Sequence, residues 1–129
     1  MTVVDEIGRS RYVSLTTYRK DGTAVATPVW HVVNGGDLVV VSDAEAWKVK
    51  RIRNNSHVVV TVCGFRGDIA PGAPSAEGTA RLLDEADTAT GRRLLARKYF
   101  LSRMGNWFAK ILHVRRRPLI GIAVTFSGV

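Results

Sequence analysis

The sequence is poor in the features of secreted, membrane-spanning and repetitive proteins. Cys63 is the only cysteine among 129 residues, so no internal disulfide is possible, as is typical of a reducing cytoplasm. No run of about 18 apolar residues is long enough to span a bilayer, and neither a signal-peptide pattern nor an internal repeat is visible. We therefore expect one cytoplasmic domain over residues 1–129, without an integral membrane segment and with Cys63 as a small buried hydrophobe.

The motifs of several large enzyme classes are absent as well. The sequence has neither the GxxxxGK[ST] loop of nucleoside triphosphate sites nor the GxGxxG fingerprint of dinucleotide sites. The GxSxG turn of serine hydrolases is also missing. His31, His57 and His113 are far apart and show no metal-ligand spacing, so no metal site is expected.

Negative charge is scarce in the second part of the chain. Residues 1–45 hold four Lys or Arg against six Asp or Glu, a net charge of −2. Residues 46–129 hold fifteen against five, a net charge of +10. This asymmetry favours an anionic partner such as nucleic acid, an anionic membrane surface or a phosphorylated or carboxylated small molecule, with solubility alone as the alternative.

Hydrophobic periodicity predicts a mostly β, α+β domain. Asp-Gly and Asn-Gly-Gly turns join the first three strands into an antiparallel meander. Pro28 lies inside the second strand, which must therefore be bulged or at an edge of the sheet. Six strands with inserted helices indicate a small antiparallel barrel. The strands are predicted at residues 11–19, 24–36, 37–42, 57–65, 78–84 and 119–126, and the helical segments at 3–10, 43–54, 85–100 and 104–115.

The stretch WKVKRIRNN, residues 47–55, concentrates positive charge between two apolar runs. Ala46, Val49 and Ile52 form a stripe at helical spacing, with Lys48 on one side and Lys50 on the other. The lysines either hold an anion near the helix start or form a solvated helix face. Spacing alone does not separate these readings. A capping box predicted between Ser42 and Glu45 counts against an anion at the helix end itself, because it would occupy some of the free N–H groups.

Thr27-Pro28-Val29-Trp30 is the second candidate site. A proline within a strand exposes nearby backbone groups, and these are able to bind the edge of a planar heterocycle with Trp30 as a wall. The alternative, an ordinary edge strand with a core tryptophan, is favoured by residue statistics alone. Arg92, Arg93, Arg97 and Lys98 are predicted to form a solvated helix face. Three tryptophans in apolar surroundings do not form the exposed stacking surface of a nucleic-acid binder.

Three segments in this order resemble one protein family: YVSLTTYRKDGTAVATPVWHVV, VVVSDAEAWKVKRIRNNSHVVVTVC and EGTARLL. They are similar to the pyridoxamine-phosphate-oxidase-like split β-barrel flavoproteins, and most of all to the actinobacterial subgroup that uses the deazaflavin coenzyme F420. The resemblance covers residues 10–100 and, loosely, the last strand. It implies an FMN-binding split-barrel fold, and a homodimer with the cofactor at the subunit interface.

The resemblance also implies site residues. Lys48, and next Lys50, would bind the cofactor phosphate, with Ser42 nearby. Residues 27–30, which are Thr27, Pro28, Val29 and Trp30, would bind the ring. Arg51 and Arg53 would only steer an acidic tail. Residues 101–117 are less typical of the family, so their role as substrate pocket, dimer contact or membrane-surface helix is open.

The leading hypothesis is a reductase that transfers a hydride from reduced F420 to a conjugated small molecule such as an enone or quinone. The alternatives are an FMN-dependent oxidase or reductase of the same fold, and a protein that carries F420 without turning it over. No catalytic acid or base is evident in the sequence. His31 lies near the ring-binding segment, where it either serves the reaction or simply faces the barrel.

Overall fold

The computed structural model describes residues 2–101 and 118–127, with the backbone alone for residues 100 and 101. Its elements in chain order are α1 (Val3–Arg9), β1 (Val13–Tyr18), β2 (Ala24–Val29), β3 (Val32–Asn34), β4 (Asp37–Asp43), α2 (Trp47–Asn54), β5 (His57–Val62), β6 (Ser75–Leu82), α3 (Glu85–Leu101) and β7 (Leu119–Phe126). The predicted amphipathic helix that includes residues 104–112 lies outside the described residues.

The seven strands form one antiparallel sheet in the order β2-β1-β5-β6-β7-β4-β3. A flat sheet of this size would be about 29 Å wide, because neighbouring strands are about 4.8 Å apart. Only residues 30 and 31 join β2 to β3, the two edge strands, and three Cα–Cα steps span at most about 11 Å. The sheet must therefore curl until its edges approach each other. The predicted mostly β split barrel with short helices is confirmed.

The predicted three-stranded meander is wrong. Residues 24–36 form two strands, since β2 pairs with β1 whereas β3 pairs with β4. The break falls at His31, whose backbone N–H donates to the hydroxyl of Tyr99 (2.9 Å) rather than to a neighbouring strand. A helix that is distant in sequence thus divides an apparently continuous strand.

One apolar core fills the inside of the curled sheet. The stripe predicted for α2 is confirmed, because Val49 and Ile52 are buried there and Ala46 packs against them. The stripe holds α2 to the barrel and leaves the polar sides of the helix at the surface. The largest buried contributions come from Ile7, Val13, Leu15, Leu38, Val40, Val58, Val60, Ile122 and Val124 together with the two α2 residues.

Cys63 is partly exposed, not buried as predicted, because it follows the last residue of β5. Burial of its surroundings and the nearby Asp68 carboxylate raise the pKa of its thiol. A raised pKa disfavours the thiolate, the reactive form of cysteine. The thiol is therefore not placed for nucleophilic chemistry.

Helix α3 docks on β7 through a buried hydrogen bond. The backbone N–H of Gly121 donates to the hydroxyl oxygen of Thr88 at 2.8 Å. Thr88 is buried, so no water replaces the hydroxyl if it is removed. This bond fixes the first turns of α3 against the centre of the sheet.

Thr88→Val is expected to lower the free energy of unfolding by about 1–2 kcal/mol, because the Gly121 N–H then stays buried without an acceptor. Urea denaturation measures the change. Thr90→Val is the matched control, since the Thr90 hydroxyl is exposed and donates only to Ala86 within the helix. Equal losses in the two variants would contradict the role given to Thr88.

Candidate functional site

The positive charges of α2 divide between two sides of the helix. Lys48 and Arg51, three positions apart, share one side, whereas Lys50 lies on the other. Arg51 reaches the sheet, where its Nε donates a hydrogen bond of 2.6 Å to the hydroxyl oxygen of Thr17 in β1. Lys50 places its ammonium 4.5 Å from the ring centroid of the exposed Trp47. The structure does not bring Lys48 and Lys50 together, and Arg51 is the residue that accompanies Lys48.

The predicted capping box at the start of α2 is wrong. The helix begins at Trp47, and its N-cap residue Ala46 makes no side-chain cap. The backbone N–H of Glu45 donates to the carboxylate of Asp43 (2.9 Å), which forms a turn ahead of the helix. Ser42 is buried at the end of β4, where its hydroxyl donates to the Asp43 carbonyl oxygen (3.0 Å). The N–H groups at the start of α2 are therefore not occupied by a capping box between Ser42 and Glu45.

β2 forms an edge of the sheet, as the proline within it predicted. In the described part of the chain it pairs with β1 alone, so its outer side presents backbone groups that no neighbouring strand uses. Thr27 and Val29 lie on one face and are half-buried, whereas Pro28 lies on the other. Pro28 is approached by the turn at Gly67, where a Cβ would come within 3.0 Å of the proline Cγ. The free edge offers hydrogen-bonding groups to a planar heterocycle.

β1 connects the two groups of candidate residues. Thr17 of β1 accepts the hydrogen bond from Arg51. Leu15 lies two residues earlier in the same strand and pairs with Thr27 of β2. Two residues of an extended strand span about 7 Å, and their side chains point to the same face. The Arg51 side of α2 and the β2 edge therefore lie within the length of one extended small ligand.

Trp30 is half-buried against helix α3. Its ring stacks on that of Tyr99, with centroids 4.8 Å apart and an angle of 19° between the ring planes. The two rings belong to a second apolar cluster with Leu95 and Val32. One face of the Trp30 ring is therefore covered by Tyr99.

Lys98 is not part of a solvated helix face, contrary to the sequence prediction. It is partly buried, and its ammonium donates to the carbonyl oxygens of Gly8 (3.2 Å), Ser10 (3.1 Å) and His31 (2.9 Å). Burial lowers the pKa of Lys98 to about 8. The sequence does hold a signal for this placement, since Lys98 lies three residues after the buried Leu95 of α3.

His31 is fully buried next to Lys98. Its Nε2 bonds to the carbonyl oxygen of Ile7 at 2.6 Å, and Nδ1 has no hydrogen-bond partner among the described residues. Nε2 therefore carries the proton, and a second proton on Nδ1 would be a buried donor without an acceptor. Burial and the positive charge of Lys98 lower the pKa of His31 to about 4. The imidazole is neutral at pH 7 and does not serve as a general acid.

A groove lies between α3 and the sheet, but it contains none of the candidate residues. Its volume is about 210 Å³, below the roughly 300 Å³ at which ligand pockets begin. Arg81 and Asp37 line it and form an ion pair of 3.0 Å. The groove is too small for a flavin.

The described residues contain no group of three His, Cys, Asp or Glu side chains that would hold a metal ion. Over residues 2–101 and 118–127, no helix has both the length and the apolar character needed to cross a membrane.

Comparisons with known proteins agree with the split barrel. The sequence profile described as pyridoxamine 5'-phosphate oxidase matches residues 2–124. Similar solved structures include an F420 reductase (19% identity, TM-score 0.59, covering 95% of this chain and 90% of that one). A FAD-binding protein of Mesorhizobium loti is also similar (17% identity, TM-score 0.67, covering 97% and 87%). So is the heme storage protein HutZ of Vibrio cholerae (13% identity, TM-score 0.68, covering 98% and 89%). No curated protein matches the chain.

The curled sheet, with α2 packed against it and an open edge at β2, defines the class as a split-barrel protein. The chain belongs to the pyridoxamine 5'-phosphate oxidase family, whose profile matches nearly its whole length. The three solved structures named above are less than 20% identical to the chain, so they support the fold alone.

Proposed function

We propose that the protein is an oxidoreductase that binds the deazaflavin coenzyme F420 and passes a hydride from it to a conjugated small molecule such as an enone or quinone. Lys48 binds the cofactor phosphate, and the edge of β2 at Thr27, Pro28 and Val29 binds the ring. We rank Lys50 after Lys48 for this role, because its ammonium lies over Trp47 on the other side of α2. Membership of the family and the F420 reductase among the similar structures support this proposal.

The observation that carries the proposal is the placement of a basic helix side and a free sheet edge along the same strand. Arg51 ties the Lys48 side of α2 to Thr17 of β1, and β1 pairs with the β2 edge. A ligand with an anionic group and a planar heterocycle about 7 Å apart would meet both. Apolar ligands gain nothing from this arrangement.

The cofactor supplies the hydride chemistry, and the protein supplies binding and orientation. Backbone groups on the β2 edge hold the heterocycle in one plane, and Trp30 forms a wall beside it. A lysine ammonium acts on a phosphate as a point charge, so Lys48 fixes one end of the cofactor. His31 supplies no proton, because it is neutral and buried. We propose that solvent is the proton source, and that two subunits form the cofactor groove in a homodimer.

Binding titrations test the cofactor directly. The purified protein is titrated with oxidised F420, FMN, FAD and heme while fluorescence or absorbance is followed. F420 is expected to bind in the micromolar range and FMN more weakly, because the basic surface also meets the acidic tail that FMN lacks. Micromolar binding of FMN with none of F420 would favour an FMN-dependent enzyme of the same fold.

Lys48→Ala is expected to weaken F420 binding about tenfold or more, because a charged hydrogen bond to phosphate is lost. The same titration measures the change. Arg53→Ala is the matched control, since it removes one positive charge from the exposed side of the same helix. If both variants lose the same affinity, Lys48 acts only through net charge and has no specific phosphate contact.

A non-catalytic carrier is the second candidate, because His31, the histidine next to the ring-binding segment, is buried and neutral. Reoxidation of reduced F420 is followed by absorbance with a panel of enones and quinones. Turnover above the rate without protein identifies an enzyme. F420 binding without turnover across the panel would identify a carrier.

A further inference from the structure

Two consecutive side chains of α3 hold the backbone of one residue, His31. The hydroxyl oxygen of Tyr99 accepts the His31 N–H (2.9 Å), and the ammonium of Lys98 donates to the His31 carbonyl oxygen (2.9 Å). The hydroxyl proton of Tyr99 has two acceptors within reach, the carbonyl oxygens of Arg11 at 2.7 Å and of His31 at 3.2 Å. One proton serves the shorter contact, to Arg11. The His31 carbonyl oxygen therefore depends on Lys98.

The same ammonium reaches the end of α1. Its other two acceptors are the carbonyl oxygens of Gly8 (3.2 Å) and Ser10 (3.1 Å), which lie in the last turn of α1 and at its C-cap. Carbonyl groups at a helix C-terminus have no acceptor role within the helix, and they carry the negative end of its dipole. Lys98 has three N–H donors and meets three carbonyl oxygens. The bend at residue 31 is therefore fixed to α1 and α3 together.

Trp30 directly precedes this bend and belongs to the candidate ring-binding segment, residues 27–30. Its ring stacks on Tyr99, the neighbour of Lys98, with centroids 4.8 Å apart. Only residues 30 and 31 separate β2 from β3, so a shift of the His31 peptide moves Trp30 over Tyr99 and changes where β2 ends. Lys98 thus acts on Trp30 through the backbone of the bend.

We infer that Lys98 is a positioning residue for the ring-binding segment: its ammonium, held by three carbonyl oxygens, sets where Trp30 and the end of β2 lie. The identity of the bound ring, F420, rests on the proposed function. The competing explanation is that Lys98 only stabilises the fold by tying α3 to α1. The two roles differ in their consequences, because a role in stability alone requires no particular position of Trp30.

The first test uses the full chain without cofactor, labelled with fluorotryptophan. The Trp30 ¹⁹F resonance is assigned by its loss in Trp30→Phe. Lys98→Met keeps an unbranched side chain but removes the ammonium, and it is expected to shift this resonance. Arg97→Met removes a charge from the exposed adjacent position, and Thr88→Val loosens α3 at its other end, so both are expected to leave the resonance in place. An unmoved resonance in Lys98→Met, or equal shifts in all three variants, would overturn the inference.

Chemical rescue tests whether the ammonium itself acts. Lys98→Ala removes the side chain that occupies the space before the three carbonyl oxygens, and propylammonium is small enough to enter that space with its N–H donors. Propylammonium chloride is expected to return the Trp30 resonance saturably to its wild-type position. Tetramethylammonium chloride supplies the same charge without an N–H donor, so it is expected to have no effect. Equal effects of the two salts would contradict the role given to the hydrogen bonds of Lys98.

F420 titration of the same variants measures the consequence for binding. Lys98→Met is expected to weaken F420 binding at least about fivefold and Arg97→Met by less than about twofold, because only the first displaces the ring-binding segment. Equal losses in the two variants would contradict the positioning role. If the wild type binds no F420, the proposed function fails, whereas the Trp30 resonance still decides the role of Lys98.

Discussion

Tyr99→Phe is expected to lower the free energy of unfolding by about 3 kcal/mol, although it removes only one oxygen atom. The Tyr99 hydroxyl accepts the backbone N–H of His31 (2.9 Å) and donates to the carbonyl oxygen of Arg11 (2.7 Å). His31 lies in the bend that joins β2 to β3, and Arg11 lies in the segment before β1. Phenylalanine keeps the stacking on Trp30 but leaves the buried N–H of His31 without its acceptor and the partly buried carbonyl oxygen of Arg11 without its donor.

Chemical denaturation of the full chain measures this effect. Tyr18→Phe is the matched control, because Tyr18 stacks on His57 and its hydroxyl makes no hydrogen bond to a described residue. The control is expected to change stability by less than about 0.5 kcal/mol. A loss for Tyr99→Phe that is no larger than the control would show that the hydroxyl does not hold the bend.

Acid is expected to destabilise the protein by about 3 kcal/mol between pH 6.5 and pH 4 through His31 alone. The folded-state pKa of His31 is about 4, against an ordinary value of 6.5, so the unfolded chain binds more protons within this window. The contribution of the neutral His31 to the free energy of unfolding is therefore fully present above pH 6.5 and is lost as the pH decreases toward 4. The physical cause is a buried ring whose second proton would find no acceptor and would face the positive charge of Lys98.

The comparison variant for this prediction is His31→Gln. Glutamine retains an N–H donor for the Ile7 carbonyl oxygen but does not titrate. Its stability at pH 7 is expected to be lower than that of the wild type, while its loss between pH 6.5 and pH 4 is expected to be much smaller. If the free energy of unfolding falls equally with pH in the two proteins over this window, His31 is not the buried neutral group that causes the loss.

The sequence was informative wherever a structural element follows from local chemistry. The Asp-Gly turn predicted the β1–β2 hairpin, and the structure has Gly22 there with a φ of 89°, which glycine adopts without strain. Pro28 predicted an edge strand because a proline has no N–H to donate to a second neighbour. Val49 and Ile52 predicted the buried side of α2 from their spacing alone.

Predictions failed where partners distant in sequence compete with local ones. Ser42 and Glu45 match the capping-box pattern, but the backbone N–H of Glu45 donates to the Asp43 carboxylate instead. The helix therefore begins only at Trp47. Lys98 looks like one of four charges on a helix surface, yet three carbonyl groups from residues 8, 10 and 31 surround its ammonium. The spacing of Lys98 from the buried Leu95 indicates which side of α3 it lies on, but the sequence of α3 does not show that these three carbonyl groups face it.

The sequence by itself determined the β-rich class, the positions of most elements, the basic helix α2 and its buried stripe, because these depend on periodicity and turn chemistry within a few residues. Only the tertiary structure decided which charges act together. It placed Arg51 against Thr17 and divided residues 24–36 between two edges of the sheet. The physical reason is that these pairings depend on how the sheet curls and where α3 packs, which contacts between residues up to 90 positions apart determine.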